Sequence, residues 1–77
     1  MIETIGKSMK RIRKSRNLFQ RELSEISNVP LTSIREYEED LVLPGLFNLI
    51  AIADALNVTL DELIGRKMPN EVLEKNL

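Results

Sequence analysis

The sequence predicts an all-α domain built of five short helices, with a helix-turn-helix formed by the second and third. Three observations carry this reading. Apolar residues recur at helical spacing through most of the chain. The breaks in that spacing fall at Asn, Pro and Gly. Residues 20–38, QRELSEISNVPLTSIREYE, read as two helices joined by a three- or four-residue turn. The second helix of such a pair can lie in a DNA major groove. The same spacing also serves an ordinary helical hairpin inside a small bundle.

The first helix is expected over residues 4–17. Ile5, Met9 and Ile12 form one apolar stripe, while Lys7, Lys10, Arg11 and Lys14 face away. Thr4 can cap its start, and Asn17 fits the left-handed conformation that ends helices. Arg13 lies at the edge of the stripe, so it either snorkels outward or meets a buried acid. The second helix is expected over residues 20–27, its start poorly capped because Phe19 stands where a Ser, Thr or Asn is usual. Leu23, Ile26 and Ile34 are placed where two crossing helices meet. Pro30 pushes the residues before it out of helical geometry and suits the opening of the third helix, expected over residues 31–39. Ile34 and Tyr37 face inward there, and Thr32, Ser33, Arg35 and Glu36 face out.

A loop bounded by Pro44 and Gly45 follows. The fourth helix, about 46–56, offers Leu46, Leu49, Ile50, Ala53 and Leu56 as a wide apolar stripe ending at Asn57. Thr59 and Glu62 have capping-box spacing at the start of a fifth helix that runs to about Gly65 and buries Leu60, Leu63 and Ile64. Residues 1–65 form the domain. Residues 66–77 form a tail in which Met68, Val72 and Leu73 share a short apolar face, either packed on something or disordered.

With 43% apolar residues and three aromatics among its 77 residues, the chain can build one modest aliphatic core. It has no cysteine and no histidine, which removes thiol chemistry, the commonest general base and the commonest metal ligand. No cofactor, metal or small-molecule substrate is expected, and an enzyme is disfavoured. No apolar run reaches the length of a membrane span and no signal peptide is visible, which fits a cytoplasmic protein. The net charge of −1 hides an asymmetry. Residues 1–21 carry seven Lys or Arg against Glu3, whereas residues 22–64 carry nine acids against Arg35. A basic segment is either an electrostatic footprint for nucleic acid or a solvated face balanced elsewhere.

Ile12-Arg13, Leu18, Gln20, Leu23, Asn28-Val29-Pro30, Ile34, Tyr37-Glu38, Pro44 and the run Leu56 to Leu63 occur in the order and with the gaps of a known family. The chain resembles the Xre family of the lambda-type repressor and Cro class over residues 5–64. The resemblance implies a five-helix DNA-binding domain, a transcriptional repressor by function, with double-stranded DNA as partner. It implies that Gln20 holds a backbone phosphate at a helix N-terminus, with Arg21 beside it. Leu31, Thr32 and Glu36 stand at base-reading positions, flanked by Ser33 and Arg35. Arg13 and Glu38 match an ion pair that ties the first helix to the end of the third. Because one helix-turn-helix reads only a few base pairs, a homodimer is expected, with contacts from the fifth helix and the tail through some of Leu60, Met68, Val72 and Leu73.

The departures from the family pattern are Phe19 at the cap, Leu31 at a usually polar position, and Asp40-Leu41 where Gly and a cation are common. Glu36, Glu39 and Asp40 place negative charge near expected phosphates, which opposes binding to random DNA. The second reading is a protein-binding module that kept the fold and lost DNA binding, with Leu31, Phe19, Leu41 and Phe47 as its patch.

Overall fold

A computed structural model describes residues 3–65. Five helices follow in order: α1 (Ile5–Ser15), α2 (Gln20–Ser27), α3 (Leu31–Glu38), α4 (Leu46–Leu56) and α5 (Leu60–Ile64). There is no strand among the described residues. The expected helices are all present. Their ends differ by at most two residues, because the outer residues of α1 serve as caps.

The starts and stops follow local chemistry. Thr4 Oγ1 accepts the Lys7 N–H at 3.1 Å and opens α1. Asn17, Asn28 and Asn57 end α1, α2 and α4 with φ near +58°, the left-handed region that Asn tolerates. Thr59 and Glu62 exchange hydrogen bonds as a capping box at α5. Phe19 offers no side-chain acceptor to α2, as expected. The Glu22 carboxylate nevertheless accepts the Phe19 N–H at 2.8 Å, so half of a capping box survives at that start.

Met9, Ile12, Leu23, Val29, Ile34, Tyr37, Ile52, Ala53, Leu56 and Leu63 form one core. Each large aliphatic among them contributes on the order of 1.5–3 kcal/mol by leaving water. Two expected core residues lie elsewhere. Ile26 is 58% exposed, because α2 packs through Leu23 and Ile26 falls on the shoulder of the helix. Leu46 is 62% exposed, in the first turn of α4. Two residues passed over by the sequence reading, Val29 and Ile52, are buried. Val29 sits in the turn, where its carbonyl accepts from Ser24 Oγ and its N–H reaches Ser27 Oγ. α4 is apolar almost all round, so periodicity alone could not single out Ile52.

α1 and α3 meet closely at Gly6. A Cβ built there would lie 2.2 Å from the Tyr37 carbonyl oxygen and 2.5 Å from Asp40 Oδ1. Asp40, at φ +59°, accepts the Gly6 N–H at 3.2 Å and the Thr4 hydroxyl at 2.8 Å. A carboxylate thus covers the positive end of α1. Gly6→Ala is therefore expected to lower stability by about 1–3 kcal/mol, because the clashing atom is backbone and cannot rotate away. Urea denaturation followed by circular dichroism checks this, and an unchanged midpoint would contradict the close approach.

Candidate nucleic-acid interface

Beyond the shared apolar core, one buried charge pair ties the helix-turn-helix to α1. Arg13 Nε donates to Glu38 Oε2 at 2.7 Å, and Arg13 Nη2 donates to Oε1 at 2.9 Å. Both residues are 6% exposed. Arg13 Nη1 donates to the Leu18 carbonyl at 2.7 Å, and Gln20 Nε2 donates to Glu38 Oε1 at 3.0 Å. The network joins α1, the α1–α2 connection, the first residue of α2 and the last residue of α3. It fixes the angle between α2 and α3.

Gln20, Arg21, Leu31 and Arg35 line one open groove, together with Phe19 and Glu22. The ion pair forms part of its wall through Arg13. Of the other site residues read from the sequence, Thr32 is exposed, and Ser33 and Glu36 are half-buried. At 100° per residue, Thr32 and Glu36 lie opposite the buried face made by Ile34, Tyr37 and Glu38. Leu31 and Arg35 share the edge that turns toward α2, and Ser33 lies on the other edge.

The start of α2 is open. Its Gln20, Arg21 and Glu22 N–H groups find no acceptor among the described residues. Phe19, 76% exposed, supplies none. Unsatisfied N–H groups and the helix dipole make such an end an anion-binding position. Gln20 keeps one N–H engaged by Glu38, which orients the amide from below.

The charge around the groove differs from the tally along the sequence. Arg11 is paired with Glu3 at 3.0 Å, and its guanidinium holds the Glu3 carboxyl below the usual range. Arg16 donates to the Leu56 carbonyl at 3.0 Å, closing α1 on the end of α4. Asp40 is engaged at the start of α1. Besides Arg13, which is neutralised by Glu38, Arg21 and Arg35 are the cations that line the groove.

A family model described as helix-turn-helix matches residues 9–63. The chain belongs to the helix-turn-helix family. This helix-turn-helix domain is 41% identical over 59 residues to the cryptic phage CTXphi transcriptional repressor RstR of Vibrio cholerae, a match covering 77% of this chain and 53% of that protein. It is 34% identical over 64 residues to the immunity repressor protein of Bacillus phage phi105, covering 83% of this chain and 44% of that protein. The chain thus spans about half the length of the curated relatives it matches. Among solved structures it superposes on the P22 c2 repressor in complex with a synthetic operator, with a TM-score of 0.77 and 25% identity over 84% of this chain and 98% of that one. The biofilm regulator SinR in complex with DNA gives 0.75 and 26%, over 78% and 97%.

The buried pair makes a direct prediction for this helix-turn-helix domain. Arg13→Ala and Glu38→Ala should each cost about 3–5 kcal/mol, because each leaves its partner's charge buried alone. The double variant should cost much less than the sum. Equilibrium unfolding of the three variants measures the coupling. Additive losses would mean that the two side chains act independently.

Proposed function

We propose that this domain is a sequence-specific DNA-binding transcriptional regulator acting as a repressor. The observation that carries the proposal is the meeting of Gln20, Arg21, Leu31 and Arg35 in one groove, with Thr32 on the outward face of the neighbouring helix. The open start of α2 gives a phosphate three backbone donors, the Gln20 amide and Arg21. Docked there, the phosphate sets the register of α3 on the duplex. Thr32 and Glu36 then face base edges. A glutamate accepts from cytosine N4, and the threonine and leucine side chains suit a thymine methyl. Ser33 and Arg35 flank the reading face and contact the backbone.

One recognition helix reads only a few base pairs. The proposed working form is therefore a two-fold homodimer on a near-palindromic site, its α3 helices about 34 Å apart. Of the dimer contacts expected from the sequence, Leu60 packs against the protein's own core. Met68, Val72 and Leu73 lie outside the described residues. The relatives that match are repressors, and the P22 c2 and SinR domains are seen on DNA.

Titration of the wild type, Glu36→Gln and Thr32→Ala against a duplex selected from a random pool, and against its scrambled form, tests the reading. Glu36→Gln should strengthen binding to scrambled DNA by removing a like charge. It should weaken preference for the selected site by about 1–3 kcal/mol if a cytosine is read. Thr32→Ala should reduce specific binding with helicity unchanged. With Arg21 and Arg35 as the groove's cations, the salt slope should be shallow, each phosphate contact adding about 0.9. Failure to select any duplex would overturn the proposed function. Specific binding indifferent to both substitutions would remove α3 as the reading helix.

A further inference from the structure

Phe19 and Leu31, two apolar side chains at positions where the family pattern is polar, come together in the folded domain. Both line the groove between the start of α2 and α3, with Arg21 and Arg35 beside them. Phe19 is 76% exposed and Leu31 is half-buried. Neither arginine has a carboxylate partner among the described residues. A partner that covers the ring must also answer these cations, so it combines an apolar group with negative charge close by.

Both side chains stand on fixed backbone. The Phe19 N–H is held by the Glu22 carboxylate at 2.8 Å, and the Phe19 carbonyl accepts the Leu23 N–H at 3.0 Å. Leu31 opens α3 behind Pro30, whose φ is −55° and whose carbonyl accepts the Ile34 N–H at 3.1 Å. Little backbone freedom is left to lose when a group seats between them, which favours binding there.

We infer that Phe19 and Leu31 are two walls of a seat for a thymine C5-methyl, which makes Phe19 a specificity-determining residue outside the recognition helix. The inference rests on the DNA-binding reading above and deepens it. On the major-groove edge the thymine methyl is the apolar group; the remaining groups there are hydrogen-bond donors and acceptors. It is also never far from a phosphodiester, so one strand of DNA brings both the methyl and the anion that the groove accommodates. A phosphate on the open N–H groups of α2 lies next to Phe19 in the chain and brings the duplex against the first residue of α3, Leu31. Leu31 alone would cover one side of a methyl and leave the other to water. The Phe19 ring closes the second side. An apolar peptide is a poorer occupant, because it would leave Arg21, Arg35 and the open N–H groups unanswered.

The test titrates the full chain against the duplex selected from a random pool and against a set in which each thymine in turn is replaced by deoxyuridine. That replacement removes the methyl and keeps every hydrogen-bonding group. The parent should lose about fourfold in affinity, the worth of one buried methyl-sized group, at one thymine of the site or at that thymine and its symmetry mate. Phe19→Ala and Leu31→Ala should each bind the thymine duplex more weakly and no longer distinguish it from the deoxyuridine duplex at that position. Phe47→Ala, at an exposed aromatic on α4 outside the groove, should behave as the parent. The Phe19 side chain lies largely in water and makes no cap hydrogen bond, so its variant should keep the parent's circular dichroism. A deoxyuridine scan that is flat for the parent would overturn the inference and leave DNA binding standing. If Phe19→Ala still distinguishes the two duplexes fully, whatever its affinity, Phe19 is no wall of the seat and the inference falls. Failure to select any duplex would overturn the proposed function and this inference with it.

Discussion

The Arg13–Glu38 pair is the constraint around which the domain is arranged. Two opposite charges at 6% exposure are tolerable only when every donor and acceptor is answered. Here Arg13 meets both carboxylate oxygens and the Leu18 carbonyl, and Glu38 also takes the Gln20 amide. No buried side-chain nitrogen or oxygen is left without a partner among the described residues. The bonds converge from α1, the start of α2 and the end of α3, so none of the three can rotate without breaking a charged contact. Aliphatic packing of Met9, Leu23 and Ile34 supplies much of the cohesion but little direction, since methyl groups slide. The charged network supplies the direction.

The same economy appears where α1 crosses the end of α3. Gly6 permits the approach, and Asp40 in the left-handed conformation completes it by covering the start of α1. Asp40 stands where the family pattern commonly has Gly, and the positive φ explains both choices. An acid that looks unfavourable for a nucleic-acid partner when read along the chain is thus engaged in holding two helices together. The start of α2 shows the converse. Phe19 withdraws the usual side-chain cap and leaves backbone donors open beside Gln20 and Arg21. In the proposed function an incoming phosphate completes that helix end.

Much of this was legible in the sequence. The five helices followed from periodicity, and the stops at Asn17, Asn28 and Asn57 followed from the residue that best tolerates positive φ. The Thr59–Glu62 box could be read from spacing alone. The partnership of Arg13 with Glu38 came from family likeness, since no local rule joins residues 25 positions apart. Gly6 and Val29 were not legible. A glycine's need for closeness depends on what lies opposite, and a turn valine is buried only once two helices have closed over it.

The sequence by itself determined element type and element ends, because these depend on hydrogen bonds and steric preferences within a few residues. It also placed Thr32, Arg35 and Glu36 away from the apolar face of their helix. Only the tertiary structure decided which apolar residues are core and which are surface. Ile26 and Leu46 had the right spacing but no neighbour to cover them, while Ile52 on an almost wholly apolar helix did. It alone gathered Gln20, Arg21, Leu31 and Arg35 into one groove and left residues 41–47 uncovered. The physical reason is that burial and convergence are properties of how helices cross, and the crossing here is set by a charge pair spanning 25 residues.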